Sequence, residues 1–233
     1  MVPSYKIGPS SCDHKYTCYS CRHKQLEHQR EFEERAQGDV MADTTEVTSR
    51  TVNGVEYPAV GTYAIDASHT RLGFAVRHMA VSKVRGGFNT FEGTLQLAEN
   101  PLDSKASLTI DAGSVDTRDE TRDGHLRTND FFDVENHPKW TFTSTSIGTQ
   151  GPTEWKVDGD LTIRGVTKPV TLDVVLEGVV KDPYGNHRVG FSASTSINRE
   201  EFGVAFGAVM EAGGLVVGKK VDIEIELEAV LQP

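Results

Sequence analysis

"YAIDASHTRLGFAV", residues 63–76, sets Leu72, Phe74 and Val76 at alternate positions with small residues between them. A period of two marks a β-strand with one buried face, because successive side chains leave the backbone on opposite sides. The period returns downstream. "GGFNTFEGTLQL" carries Phe88, "ASLTIDAGSV" aligns Leu108 with Ile110, and "KWTFTSTSI" aligns Trp140 with Phe142. "WKVDGDLTI" repeats it with Trp155, Val157, Leu161 and Ile163, and "PVTLDVVLEGVV" with Val170, Leu172, Val174 and Leu176. "HRVGFSASTSI" places Val189, Phe191, Ala193 and Ile197 on one side, and "KKVDIEIELEAV" closes the chain with Val221, Ile223, Ile225 and Leu227. These segments predict about eight strands.

The links between them are short and rich in turn residues: "AENPLDS", "RGVTKP", "DPYGNH". Such links join antiparallel neighbours, since a parallel pair needs a crossover of roughly a dozen residues. Alternation alone leaves a closed barrel and a two-sheet sandwich both open. It fails in two places. "DTRDETRDGHLRTNDFFDVENHP", residues 116–138, predicts short helical turns in a crossover over 117–138. "NREEFGVAFGAVMEAGGLVVG", residues 198–218, is a glycine-rich connection before the last strand.

Bulk composition narrows the classes of function. The 233 residues are 37% hydrophobic and 25% charged, the balance of a globular chain. Thirty-four acidic against 24 basic residues leave a net charge of −10, which repels a phosphate backbone and an anionic membrane, so no nucleic-acid partner is expected. No window reaches the roughly 18 apolar residues of a spanning helix; "VAFGAVMEAGGLVVG" is interrupted by Glu211 and its glycines. Membrane insertion is not expected. The N-terminus lacks the basic start, apolar middle and small-residue cleavage site of a secretory leader, so a cytoplasmic location is expected.

Residues 1–40 differ in kind from the rest. They hold all three cysteines and balance six basic against six acidic residues. "CDHKYTCYSCRH" offers Cys12, His14, Cys18, Cys21 and His23, enough ligands for a tetrahedral zinc. A single C-x-x-C with irregular partners weighs less than the plainer reading of a disordered or upstream leader, and no metal is assigned. Residues 41–60, beginning at Met41, read as a polar leader, and 61–233 as the domain.

Several blocks, in order, resemble a known family. "YAIDASHTRLGFAVRHMAVSKVRGGFNTFEGTL", "RDGHLRTNDFFDVENHPKWTF", "GDLTIRGVTKPVTLDV" and "INREEFGV" resemble the signatures of the YceI-like family, lipocalin-like polyisoprenoid-binding proteins. The resemblance runs from about Tyr63 to the C-terminus. It implies an all-β, eight-stranded antiparallel lipocalin-like barrel whose lumen holds a long-chain isoprenoid lipid, with no established catalytic reaction and no cofactor. It leaves room for a homodimer. Many members carry an export signal, which this N-terminus lacks, and the family pattern has no counterpart of the Cys/His extension.

The candidate lipid-binding residues are the apolar faces of those strands: Leu72, Phe74, Val76, Phe88, Leu108, Ile110 and Trp140, then Phe142, Leu161, Ile163, Leu172, Val174, Phe191 and, from "INREEFGV", Phe202. Periodicity by itself favours a filled core; the resemblance turns the choice towards a ligand-holding lumen. At roughly 0.8 kcal/mol per buried CH₂, several isoprene units leaving water exceed the roughly 18–21 kcal/mol at which affinities saturate. The membrane is the real competitor for such a ligand.

Reactive chemistry is sparse. His69, His78, His125 and His137 lack the i, i+4 spacing or paired-carboxylate motif of a helical metal site; His69 is expected to hydrogen-bond at a barrel rim. No G-x-S-x-G elbow or phosphate loop occurs, and an acid/base pair drawn from Asp123, Asp130 and Asp133 is weaker than their reading as surface ion pairs or caps. The chain is therefore expected not to be an enzyme. An enzyme acting on a prenyl lipid, and an interaction module with a filled core, are the rival readings. In the crossover, Arg122, Asp123 and Arg127 are expected to form ion pairs and caps, while Leu126, Phe131 and Phe132 anchor it on apolar surface.

Overall fold

The alternating segments all form strands. The computed structural model describes residues 49–52, 54–207 and 216–233. The Cys/His extension and its zinc reading lie outside the described residues. Within them the order is β1 (Ser49–Val52), β2 (Val55–Pro58), β3 (Gly61–Ile65), β4 (Arg71–His78), β5 (Ser82–Phe88), β6 (Phe91–Leu97), β7 (Lys105–Asp111) and β8 (Val115–Asp116). There follow α1 (Glu120–Arg127), β9 (Lys139–Thr149), β10 (Glu154–Ile163), β11 (Val166–Lys181), β12 (His187–Asn198) and β13 (Val217–Leu231).

Hydrogen bonding closes a ring in the order β12, β11, β10, β9, β7, β6, β3, β13 and back to β12. Every neighbour pair in it is antiparallel. This is the eight-stranded barrel, and closure leaves it no exposed edge. Three positions in the ring are each shared by two segments. β3 and β4 both pair with β13, through Ala229–Leu231 and 217–226 respectively. β5 continues the position of β6, and β8 that of β7. The segments read as single strands, 63–76 and 86–97, are thus interrupted at 66–70 and 89–90. The second break is matched across the sheet by a turn at Ala112–Ser114: Thr90 and Asn89 donate to Ser114, and Asp111 to the Thr90 carbonyl at 2.9 Å. Paired irregularities of this kind bend two strands together.

One close approach shapes the lumen. A Cβ on Gly159 would lie 2.4 Å from the Phe142 ring and 2.7 Å from the Thr143 carbonyl oxygen. Glycine there lets the Phe142 ring lie against the inner face of β10, where the β9–β10 register also shifts.

The crossover 117–138 contains the expected helical turn. Asp119 caps α1 by accepting the Arg122 N–H at 3.1 Å, and the acidic first turn and the His125 and Arg127 last turn suit the helix dipole. The charges around it work differently from the expected ion pairs. Arg122 donates to the Thr117 hydroxyl and carbonyl at 2.6 and 2.7 Å, and Arg127 to the Gly113 and Val115 carbonyls at 2.8 and 3.0 Å. Buried Asp123 accepts the Thr117 N–H and, at 2.5 Å, its hydroxyl. A crossover leaves backbone groups without a strand to pair with, and a five-donor guanidinium satisfies them. Arg122 also pairs with Asp119, at 3.8 Å at the surface.

Candidate binding site in the barrel lumen

The inner face encloses space instead of a filled core. One cavity, of about 180 Å³, is walled by Phe74, Val76, Phe88, Ile110, Leu161 and Ile163 and runs to the crossover end. A second, of about 150 Å³, is bordered by Val174 and Phe191 and runs towards Tyr57 and Pro58 at the opposite end. The two share Leu72, Leu108, Phe142, Leu172 and Ile225, which form a waist between them. By the same measure a single water needs about 10–15 Å³, so each cavity exceeds a water-sized void roughly tenfold. Trp140 and Phe202 complete the larger one, and all fourteen candidate residues border the lumen. Phe74, Leu108, Leu172 and Phe191 are only half-buried although they point inward, because the space they face is unfilled.

The two ends are built differently. At the crossover end Phe131, Phe132 and Phe202 are buried and plug the lumen. The Phe132 ring meets Trp140 edge-on at 4.6 Å, and Trp140 meets Phe88 at 5.1 Å, the geometry aromatic quadrupoles favour. Arg164 donates one nitrogen to the carbonyls of Phe131 and Gly203, both at 3.0 Å, tying the crossover to the segment after β12.

At the other end stands a feature the sequence reading passed over. Within the supposed polar leader, β1 and β2 form a hairpin whose Arg50, Tyr57 and Pro58 border the smaller cavity. Arg50 donates to the carbonyls of Glu99 and, at 2.8 Å, Ala98; the Tyr57 hydroxyl donates to the Pro152 carbonyl. The Tyr57 ring stands edge-on to Trp155 at 6.2 Å, with the Arg50 guanidinium 5.9 Å from its centre. The hairpin therefore ties the loop after β6 to the loop before β10 across this mouth. Its signal in "SRTVNGVEYP" is a turn-forming Asn53-Gly54 between short β-prone runs.

Neither cavity is bordered by His69, His78, His125 or His137, nor by Asp123, Asp130 or Asp133. His125 pairs with Asp130 at 2.9 Å on the surface, and His137 lies 3.9 Å from Asp133. The nearest approach to a metal-ligand set among the described residues is Asp66, His69 and Glu228, whose donor atoms lie within 4.8 Å of one another. A cation already serves them: Arg188 donates to Asp66 at 2.7 Å, Glu228 at 2.6 Å and Asp182 at 2.7 Å. The Ser68 hydroxyl, then Arg188 and His69, hold the Asp66 carboxyl well below the usual carboxylate range. As the sequence suggested, His69 hydrogen-bonds locally, to Asp66 at 2.9 Å.

No helix of the described residues is long and apolar enough to cross a membrane. Residues 63–229 match the family model of the YceI-like domain, leaving the β1–β2 hairpin outside the matched region. A UPF0312 protein of Staphylococcus epidermidis is 42% identical over 168 residues, covering 71% of this chain and 95% of the relative. The Campylobacter jejuni YceI crystal structure is 30% identical with a TM-score of 0.59, covering 67% of this chain and 90% of that one. A polyisoprenoid-binding domain from Saccharophagus degradans shares the fold at 18% identity and a TM-score of 0.57, covering 73% and 98%. The matched span, the barrel and the ordered sequence blocks agree, and the chain belongs to the YceI-like family.

Proposed function

We propose that this protein is a carrier, not an enzyme, and that its lumen sequesters a long-chain polyisoprenoid or a similar amphiphile. The observation behind the reading is the unfilled, almost wholly apolar lumen of two abutting cavities. Its shape suits an elongated hydrocarbon, and its almost wholly apolar surface suits a chain that makes no hydrogen bonds. The Saccharophagus degradans fold neighbour is described as polyisoprenoid-binding. None of His69, His78, His125, His137, Asp123, Asp130 and Asp133 borders the space a ligand would fill, which favours holding over turnover. The filled-core module is disfavoured by the cavities themselves. The test is native mass spectrometry of the purified full chain, before and after incubation with a prenyl lipid in detergent. A one-to-one lipid adduct is expected; a protein that stays empty under both conditions removes the proposal.

The hairpin acts in this reading as a lid over the smaller cavity. Tyr57→Ala removes an aromatic contact and a hydrogen bond that together contribute about 2 kcal/mol. Release of a fluorescent prenyl lipid is expected to quicken on the order of 30-fold, and the unfolding midpoint to fall by no more than several degrees. Equal release rates in the two proteins would show that the hairpin does not gate that mouth.

A further inference from the structure

The loop joining β4 to β5 carries a set of features the lumen does not use. Its tip exposes Met79 and Val81, the latter 84% accessible. Met79 and Ala80 both adopt left-handed backbone, at φ 51° and 59°, a conformation that hairpin turns ordinarily assign to glycine or asparagine. The Met79 N–H donates to the Val216 carbonyl at 2.8 Å, which holds the turn beside the start of β13, while the Val81 side chain is left in solvent. Below it, on the outer faces of the same strands, Arg77 stands directly opposite Lys83 and Arg85 follows two residues along. Like charges directly opposed across a sheet weaken it. Asp222 answers part of this charge, pairing with Lys83 at 2.9 Å and Lys220 at 3.1 Å, and Glu200 pairs with Lys219 at 2.8 Å. Among the described residues no carboxylate lies within salt-bridge distance of Arg77 or Arg85. In a chain of net charge −10, this is a local reversal of sign.

We infer that this turn is a docking tip for an anionic bilayer surface: Met79 and Val81 enter the interface, and Arg77, Arg85 and the neighbouring lysines meet lipid phosphates. Apolar side chains flanked by cations form the pattern of interfacial binding. The acidic balance of the whole chain opposes it little, because charges further away than a Debye length of about 8–10 Å are largely screened. The inner faces of the same two strands supply Phe74, Val76 and Phe88 to the larger cavity. The tip thus brings that end of the barrel to a membrane, and its use in loading rests on the carrier reading.

The experiment is co-sedimentation of the full chain with vesicles of phosphatidylcholine alone and of phosphatidylcholine mixed with phosphatidylglycerol. Wild type is expected to pellet with the mixed vesicles, less so as salt rises, and weakly with the neutral ones. Each cation near an anionic surface contributes about fivefold in partitioning, so Arg77→Glu, a swing of two charges, should lower it on the order of 25-fold. That variant also sets an acid opposite Lys83, so its unfolding midpoint should hold or rise, separating lost docking from lost folding. Val81→Asp should abolish sedimentation while leaving the fold intact. Prenyl lipid supplied in detergent should bind all three proteins alike; a failure there counts against the carrier reading and leaves docking standing. Wild type that ignores mixed vesicles, binds both compositions equally, or matches both variants overturns the docking tip.

Discussion

Replacing Arg199 with alanine is expected to cost about 3–5 kcal/mol of folding stability and to lower the thermal midpoint on the order of 10 °C. Arg199 is 5% exposed and follows β12 in a short turn capped by Asn198. Its guanidinium donates to the Val204 carbonyl at 2.5 Å, to Gly218 at 2.9 Å and to Val217 at 3.3 Å. It therefore joins the turn to the start of β13 and borders the larger cavity. Burial pulls its pKa below the ordinary arginine value, yet a guanidinium does not deprotonate in a protein. Alanine would strand three carbonyls, and each buried acceptor left unpaired costs about 1–3 kcal/mol. Arg199→Lys keeps the charge but not the planar fork, so an intermediate loss is expected. Urea unfolding measures both. A loss under 1 kcal/mol in the alanine variant would show that water replaces the arginine at no cost, and that the turn is held by Phe202 packing instead.

The use of arginine explains what the sequence could and could not say. The eight ring positions and the inward set were legible, because Leu108, Trp140, Leu172 and their neighbours obey a period of two that a barrel must respect on every strand. Closure was not legible in alternation, which is the same in a sandwich and is silent on β13 pairing with both β3 and β12; it followed from the resemblance of the ordered blocks to a barrel family. "RDGHLRTNDFF" concentrates residues that serve as acids, bases and anion binders elsewhere. Here Arg122, Arg127, Arg164 and Arg199 all grip backbone carbonyls that lack strand partners. Composition cannot separate a clamp from a catalytic cluster, because the donors are the same and only the acceptor differs. The hairpin was passed over for another reason. Its strands are four residues each, too short for periodicity to register, and its role rests on what Tyr57 and Arg50 touch across the mouth.

A larger effect on binding is expected at the waist. Leu108 borders both cavities and lies on β7 opposite Phe142. Leu108→Trp would fill the passage between them at an overpacking cost of about 1–3 kcal/mol, which leaves the barrel folded. A ligand long enough to need both cavities would then lose one of them. Each isoprene unit kept out of the lumen forfeits on the order of 3–4 kcal/mol of transfer free energy from water, several hundredfold in affinity. Measured against prenyl lipids of increasing length, affinity for the wild type should climb until both cavities are occupied. In Leu108→Trp it should climb identically for the shortest chains and then level off early. Chain length, not lipid binding as such, is the quantity this substitution changes. If the two proteins level off at the same length, the cavities do not act as one tunnel, and the ligand is a compact molecule held on one side of Leu108.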